Sequence, residues 1–208
     1  MMAPRVIRIV DDDDAYRAAL TRLLEAAGFS VRGYASAGEF LLDERGTQQP
    51  GCLLLDVCMP GPSGLELHDA LARRGDALPV VYLTARGDVP TSVRAMKSGA
   101  VDFLQKPVPR TTLLAAIETA LDRDAAERAA RTRRGEIEER YASLTTRERD
   151  VVDHVVTGRL NKQIAALLGM AERTVKAHRA QAMSKLRVES LAELVDLMRE
   201  LRPPPSQH

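Results

Sequence analysis

The chain has 208 residues, of which 45% are hydrophobic, 28% charged and only 3% aromatic, with a formal net charge of +1. That composition suits one large soluble domain or two small ones. With 13 Gly and 11 Pro it is not a low-complexity chain, and no apolar run approaches the roughly 18 residues of a membrane span. Arg5 and Arg8 interrupt the amino-terminal stretch where a secretory signal needs an unbroken apolar core, so a cytoplasmic location is expected. There Cys52 and Cys58 would stay thiols, and two cysteines without a histidine cluster do not make a zinc site.

The first half alternates short apolar runs with helical patterns. The runs are Val6 to Val10, Phe29 to Tyr34, Leu53 to Val57, Val80 to Leu83 and Phe103 to Leu104. Between them Tyr16, Leu20, Leu23 and Leu24, and then Leu65, Leu67 and Leu71, recur at helical spacing. Runs without polar alternation suit strands covered on both faces. The β-α repeat therefore predicts a parallel, doubly wound sheet of five strands and five helices within about 120 residues.

Ligands of such sheets bind at the carboxyl ends of the strands. The first run ends in Asp11 to Asp14, the third in Asp56, the fourth in Thr84, and the fifth is followed by Lys106-Pro107. Each alone is the mark of an ordinary loop, and Asp13 or Asp14 suits the cap of the next helix. Together they converge. If Asp11, Asp12 and Asp56 approach within about 5 Å, each pair repels by about 3 kcal/mol at an effective dielectric near 20. A hard divalent cation such as Mg²⁺ would relieve that cost, and Lys106 would add a positive charge. Metal and ammonium together stabilise a transferring phosphoryl group, with Asp56 as the nucleophile.

The stretches Ile9-Val10-Asp11-Asp12-Asp13, Leu55-Asp56-Val57-Cys58-Met59-Pro60 with Ser63-Gly64, Leu83-Thr84-Ala85, and Gly99-Ala100 through Phe103 to Lys106-Pro107 resemble the receiver domain of two-component response regulators. The resemblance implies a flavodoxin-like (βα)5 fold and a phosphoryl group received on Asp56 from a sensor histidine kinase. It further implies Mg²⁺ (or Mn²⁺) held by Asp11, Asp12, Asp56 and the Cys58 backbone carbonyl, Lys106 on the phosphoryl oxygens, Thr84 and Phe103 as a switch pair, and a cis Lys106-Pro107 bond. Cys58 stands at a variable position that bears on the lifetime of the phosphorylated state. Phe103 offers no hydroxyl, so its part in a switch rests on ring burial. An aspartyl-phosphate phosphatase would need a second Asp where Cys58 stands.

From Asp122 to Arg140 the apolar residues shrink to Ala and a lone Ile137, and charges fall at helical spacing: Arg123 with Glu127, Asp124 with Arg128, Glu127 with Arg131. This reads as a helical linker with Gly135 as its weak point. The expected division is residues 1–122, a linker over 123–142, and a second domain over 143–208.

The net charge of +1 hides a contrast. Residues 1–125 carry 14 basic and 17 acidic side chains, and residues 126–208 carry 16 and 12. Between Arg159 and Arg187 seven Lys and Arg face Glu172 alone, the footprint of a nucleic-acid reader. Thr145 with Glu148, and Ser190 with Glu193, have capping-box spacing. Asn161 suits the cap of a short helix to Leu168, Gly169 its left-handed end, and Pro203 to Pro205 the stop of the last helix. Four short helices follow, with a helix-turn-helix about Gly169. The helix from Glu172 to Leu186 would turn Val175, Met183 and Leu186 inward. It would turn Lys176, Ala177, Ala180 and Gln181 toward base edges, with Arg173, Thr174, Arg179 and Lys185 on phosphates. Scarce aromatics argue against a stacking platform for single strands.

Leu144 to Arg149, Asn161 to Ala165 and Glu172 through His178 to Leu186 resemble the LuxR-type helix-turn-helix. With the receiver in front, the chain is similar to NarL/FixJ-class response regulators. That resemblance implies a transcriptional regulator that dimerises on phosphorylation, through the Val89 to Ala120 face, and binds double-stranded promoter DNA. A regulator whose receiver only dimerises would instead bind DNA equally with and without phosphorylation. Ala171, where relatives often have a capping Ser, forgoes roughly 0.5 to 2 kcal/mol at that helix end.

Overall fold

The computed structural model describes residues 5–43, 49–75, 78–85 and 89–202. The chain divides into two compact units, Met1–Arg128 and Ala129–His208. The first unit alternates β1 (Val6–Val10), α1 (Asp14–Ala26), β2 (Ser30–Tyr34), α2 (Ala37–Leu42), β3 (Gly51–Asp56), α3 (Gly64–Arg74), β4 (Val80–Thr84), α4 (Val89–Lys97) and β5 (Asp102–Gln105), and then enters α5 (Arg110–Ala142). All strand pairs are parallel and the order is β2-β1-β3-β4-β5. This is the doubly wound architecture that the β-α repeat predicts. The order sets β1 beside β3, so the residues after Val10 and the end of β3 meet at the carboxyl end of the sheet.

The apolar runs are explained by cover on both faces. Ile7, Ile9, Leu54, Val81 and Leu83 pack with Leu20, Leu24, Leu113 and Ile117 of α1 and α5. Leu53, Leu55 and Tyr82 pack on the opposite face with Phe40, Leu67 and Leu71 of α2 and α3. Two predicted boundaries move. Phe29 lies before β2, in the turn that ends α1, where its N–H bonds the Leu24 carbonyl. β2 itself is an edge strand with a partly exposed surface, so burial on both faces does not hold there. β3 starts earlier than its leucines, at Gly51, because Val6 pairs with that residue.

Three features fix the sheet ends. Asp13 caps α1, its Oδ1 accepting from Ala15 N at 2.9 Å and Tyr16 N at 3.0 Å. Gly64 opens α3 so close to β3 that a Cβ there would lie 2.1 Å from the Asp56 carbonyl oxygen, which excludes any side chain. At the opposite end of the sheet, the buried Asp124 of α5 accepts a hydrogen bond from Gly51 N at 2.9 Å. Arg128 holds both oxygens of Asp124, at 2.8 and 2.9 Å, and reaches the Gln49 carbonyl. What the sequence presents as a solvated charge pair is therefore partly a buried clasp on the sheet.

In the second unit the end of α5 joins α6 (Thr146–Val155), α7 (Asn161–Leu168), α8 (Glu172–Leu186) and α9 (Leu191–Leu201). Ile137, the lone apolar residue of the charged stretch, is buried with Val151, Val152, Val175, Leu186 and Leu194. Arg133 of α5 grips Glu200 of α9 through two bonds of 2.8 Å. Asn161 is the first residue of α7 rather than its cap. The cap is Leu160, whose N–H is met by Gln163 Oε1 at 2.9 Å. Gly169 ends α7 at φ +63°, the left-handed turn of the helix-turn-helix. Ala171 caps α8 without a side-chain bond, as its residue type dictates. The predicted stop at Pro203 to Pro205 lies outside the described residues.

The capping box of α6 does more than cap. Glu148 is buried and accepts from Thr145 N at 2.7 Å and from Lys185 Nζ at 2.6 Å. Burial opposes its charge, yet the bonds from Lys185 and Thr145 outweigh that and hold its carboxyl below the usual range. A depressed carboxyl contributes stability above its ordinary pKa and loses it as the pH falls through the depressed value. Glu148→Ala should therefore lower the stability of the second unit by about 2 kcal/mol, the partly exposed lysine limiting the loss. Denaturant unfolding of the full chain at pH 7 and near pH 3 measures this, and the difference from the wild type should shrink at the lower pH.

Candidate functional site

At the carboxyl ends of β1 and β3, one oxygen from each of Asp11, Asp12 and Asp56 lies within 4.8 Å of the others. Asp11 and Asp56 are buried and Asp12 is exposed. Lys106, just beyond β5, places Nζ 2.7 Å from Asp11 Oδ2 and 3.4 Å from Asp56 Oδ1. Its backbone N–H bonds the Thr84 carbonyl at 2.7 Å, which ties the β5 end to β4 and brings the ammonium over the pocket. The bond between Lys106 and Pro107 is cis. Thr84 is fully buried; Phe103 is half-buried, its ring centroid 6.3 Å from that of Tyr82.

Burial pushes the Asp56 carboxyl up; Lys106 opposes this, Asp11 reinforces it, and the Cys58 backbone N–H bonds the charged form. Burial also works against the Lys106 charge, but its bonds to Asp11 and its attraction to Asp56 prevail and raise its pKa. The cluster holds three carboxylates and Lys106 pairs with two of them, so an excess of two negative charges is left when all are ionised. An all-oxygen donor set with that excess fits a hard divalent cation. The thiol of Cys58 is exposed and free, whereas Cys52 is enclosed in the sheet and burial pushes its thiol up to about 12.

The second candidate surface is α8. Lys176, Ala177, Ala180 and Gln181 are exposed along one face, and Arg173 is exposed at its start. Val175, Ala182 and Leu186 are buried, and Met183, expected inward, is half-buried and packs against the same core. Thr174 and Arg179 are half-buried, Arg179 donating weakly to Asn161 Oδ1 at 3.4 Å. Lys185 stands apart from these, held by the buried Glu148.

Residues 7–118 match the family model of the response regulator receiver domain, and residues 142–198 match that of the bacterial regulatory proteins of the luxR family. The chain belongs to the FixJ/NarL-class response regulators. The transcriptional regulatory protein FixJ of Azorhizobium caulinodans is 44% identical over 189 residues, 91% of this chain and 89% of that protein. The response regulator protein TodT of Pseudomonas putida is 42% identical over 95% of this chain and 86% of its own length. Among solved structures, the response regulator StyR has a TM-score of 0.83 and 46% identity, covering 95% of this chain and all of that one. Full-length FixJ from B. japonicum has a TM-score of 0.58 and 38% identity, over 96% and 98%.

This response regulator is accordingly a phosphorylation-dependent, DNA-binding transcriptional regulator of a two-component system. Its receiver domain implies a histidine kinase as partner and its luxR-family domain implies DNA. It is a transcription regulator and not a conventional enzyme. No helix among the described residues is long and apolar enough to cross a membrane.

Sequence reasoning passed over two groups in the pocket. The Cys58 N–H on Asp56 is a backbone group and leaves no signal in residue type. Tyr16, read from its spacing only as a core-facing helix residue, lies under the Lys106 ammonium, 4.5 Å from Nζ to the ring centroid. The α8 surface can be tested by separating binding from folding. Lys176→Ala should relax base preference in promoter footprints without lowering the melting temperature, because Lys176 is exposed. Lys185→Ala should lower the melting temperature by several degrees because it unpairs the buried Glu148.

Proposed function

We propose that Asp56 is the phosphoacceptor of this regulator, with Lys106 as the ammonium that meets the phosphoryl oxygens and Asp11, Asp12, Asp56 and the Cys58 carbonyl as the holders of Mg²⁺ (or Mn²⁺). The observation that carries this reading is the Asp11, Asp12 and Asp56 cluster with Lys106 at hydrogen-bond range. An Asp56 oxygen attacks phosphorus, an O–P bond forms as the bond to the donor's nitrogen or oxygen breaks, and the leaving group takes up a proton. The cation would supply the positive charge that three carboxylates and one ammonium lack. Lys106 then pairs with the new phosphoryl oxygens, and Asp11 loses part of its hold on that ammonium.

Release of Lys106 from its former partners, together with the new charge at Asp56, biases Thr84 and Phe103 toward a second arrangement. The exposed side chains of α4, Val89, Val93 and Met96, support dimerisation through the face from Val89 to Ala120. Two copies of α8 then read a pseudo-palindromic site, with Lys176, Ala177, Ala180 and Gln181 at base edges and Arg173, Thr174 and Arg179 toward phosphates, while Lys185, which the sequence offers for the same role, stays on Glu148. The receiver over residues 1–122, the helical linker over 123–142 and the DNA-binding domain over 143–208 are the working divisions. Slow hydrolysis of the acyl phosphate resets the switch, in the cytoplasm.

Incubation with a small phosphodonor and Mg²⁺ should label the wild type and leave Asp56→Asn unlabelled. Labelled protein should sediment as a dimer and bind promoter DNA more tightly, with an affinity that falls steeply with salt. Equal labelling of Asp56→Asn would falsify the assignment. Promoter affinity that does not change on labelling would detach the switch from DNA binding.

A further inference from the structure

Among the described residues the Lys106 ammonium meets an aromatic ring as well as two carboxylates. The carboxylates of Asp11 and Asp56 are the first pair, at 2.7 and 3.4 Å. The third is the face of Tyr16, whose centroid lies 4.5 Å from Nζ. The ring is half-buried and its backbone is fixed from the same pocket: Asp11 Oδ1 accepts from Asp13 N at 3.1 Å, and Asp13 Oδ1 accepts from Tyr16 N at 3.0 Å. One carboxylate, Asp11, thus holds the ammonium with one oxygen and the cap that orients the ring with the other.

We propose that Tyr16 is a positioning residue for phosphoryl transfer, its ring face holding the Lys106 ammonium in reach of the group arriving on Asp56. The proposal rests on the reading of Asp56 as phosphoacceptor. Without a third neighbour, the ammonium is drawn toward the nearer and deeper Asp11 carboxylate and away from Asp56. An aromatic face attracts a cation without donating a proton or binding it in one direction, so it steadies the ammonium while leaving it free to turn toward phosphoryl oxygens. Tyr16 thereby couples α1, through its cap, to the residue that follows β5.

The experiment compares Tyr16→Phe, which keeps the face, with Tyr16→Leu and Tyr16→Met, which keep apolar bulk and remove it. In the full chain with ¹³C-labelled lysine, the Lys106 ε-methylene signal, assigned by its loss in Lys106→Arg, should be displaced by the ring current in the wild type and in Tyr16→Phe. In the Leu and Met variants it should revert. The rate of Asp56 labelling by phosphoramidate with Mg²⁺ should stay within about twofold for Phe and fall about three- to tenfold for Leu and Met. Should one aliphatic variant fail to fold, the other and the Phe variant carry the comparison. Wild-type labelling rates in an aliphatic variant, or an unmoved Lys106 signal, would overturn the proposal, and equal losses in Phe and Leu would reduce Tyr16 to a packing residue. Labelling of Asp56→Asn would instead overturn the phosphoacceptor reading, while the ring-current comparison would still report where Lys106 lies.

Discussion

An uncompensated negative charge at the carboxyl end of the sheet is the constraint around which the first unit is organised. Asp11 and Asp56 are buried beside each other with Lys106 as their ammonium. At separations under 5 Å and an effective dielectric near 20, each carboxylate pair opposes folding by about 3 kcal/mol, more than one typical hydrogen bond returns. The site therefore depends on the Lys106 ammonium, 2.7 Å from Asp11 and 3.4 Å from Asp56, and on strand ends that hold these side chains together. Pairing of β1 with β3 brings the two strand ends together, Gly64 seats α3 against the Asp56 backbone, and Asp13 caps the start of α1 beside the pocket. A site built on such opposition responds strongly to added positive charge and to a phosphoryl group.

The second unit uses a buried carboxylate in the opposite way. Glu148 is fully engaged by Thr145 and Lys185, so its charge fixes the packing of α6 on α8 and leaves the exposed residues of α8 to face a partner. One basic residue of the region is thereby committed to the fold, while Lys176 and Arg173 remain exposed. Charge counting along the chain cannot make that distinction, because Lys185 and Lys176 look alike until the partner of each is known.

The fold was largely legible because its signals are periodic or positional. Unbroken apolar runs marked the central strands, T-x-x-E and S-x-x-E spacings marked α6 and α9, and polar or charged residues after β1, β3, β4 and β5 marked the pocket. The misses have separate causes. Phe29 and the exposed surface of β2 depend on which strand lies at the sheet edge, a property of topology rather than of local pattern. Asn161 lost the cap of α7 to Leu160 because Gln163 supplies the acceptor from within the helix. Tyr16 was legible as apolar, but its meeting with Lys106 joins residues far apart in the chain, and nothing in local spacing encodes it.

The Asp124 clasp carries a consequence for how regulators of this kind can be recombined. Gly51 N–H finds its acceptor in a helix that also continues into the second unit, and the compact division falls after Arg128 rather than at the end of the apolar part of α5. A fusion joined at Asp122 would strand a buried amide, at a cost of about 1 to 3 kcal/mol. One joined after Arg128 would retain both the carboxylate and the guanidinium that steadies it. Exchange of output modules therefore has a defined joint: the receiver is complete only when it takes the first charged turns of the following helix with it, and the second unit keeps Ile137 and the Arg133–Glu200 pair when it begins after Arg128.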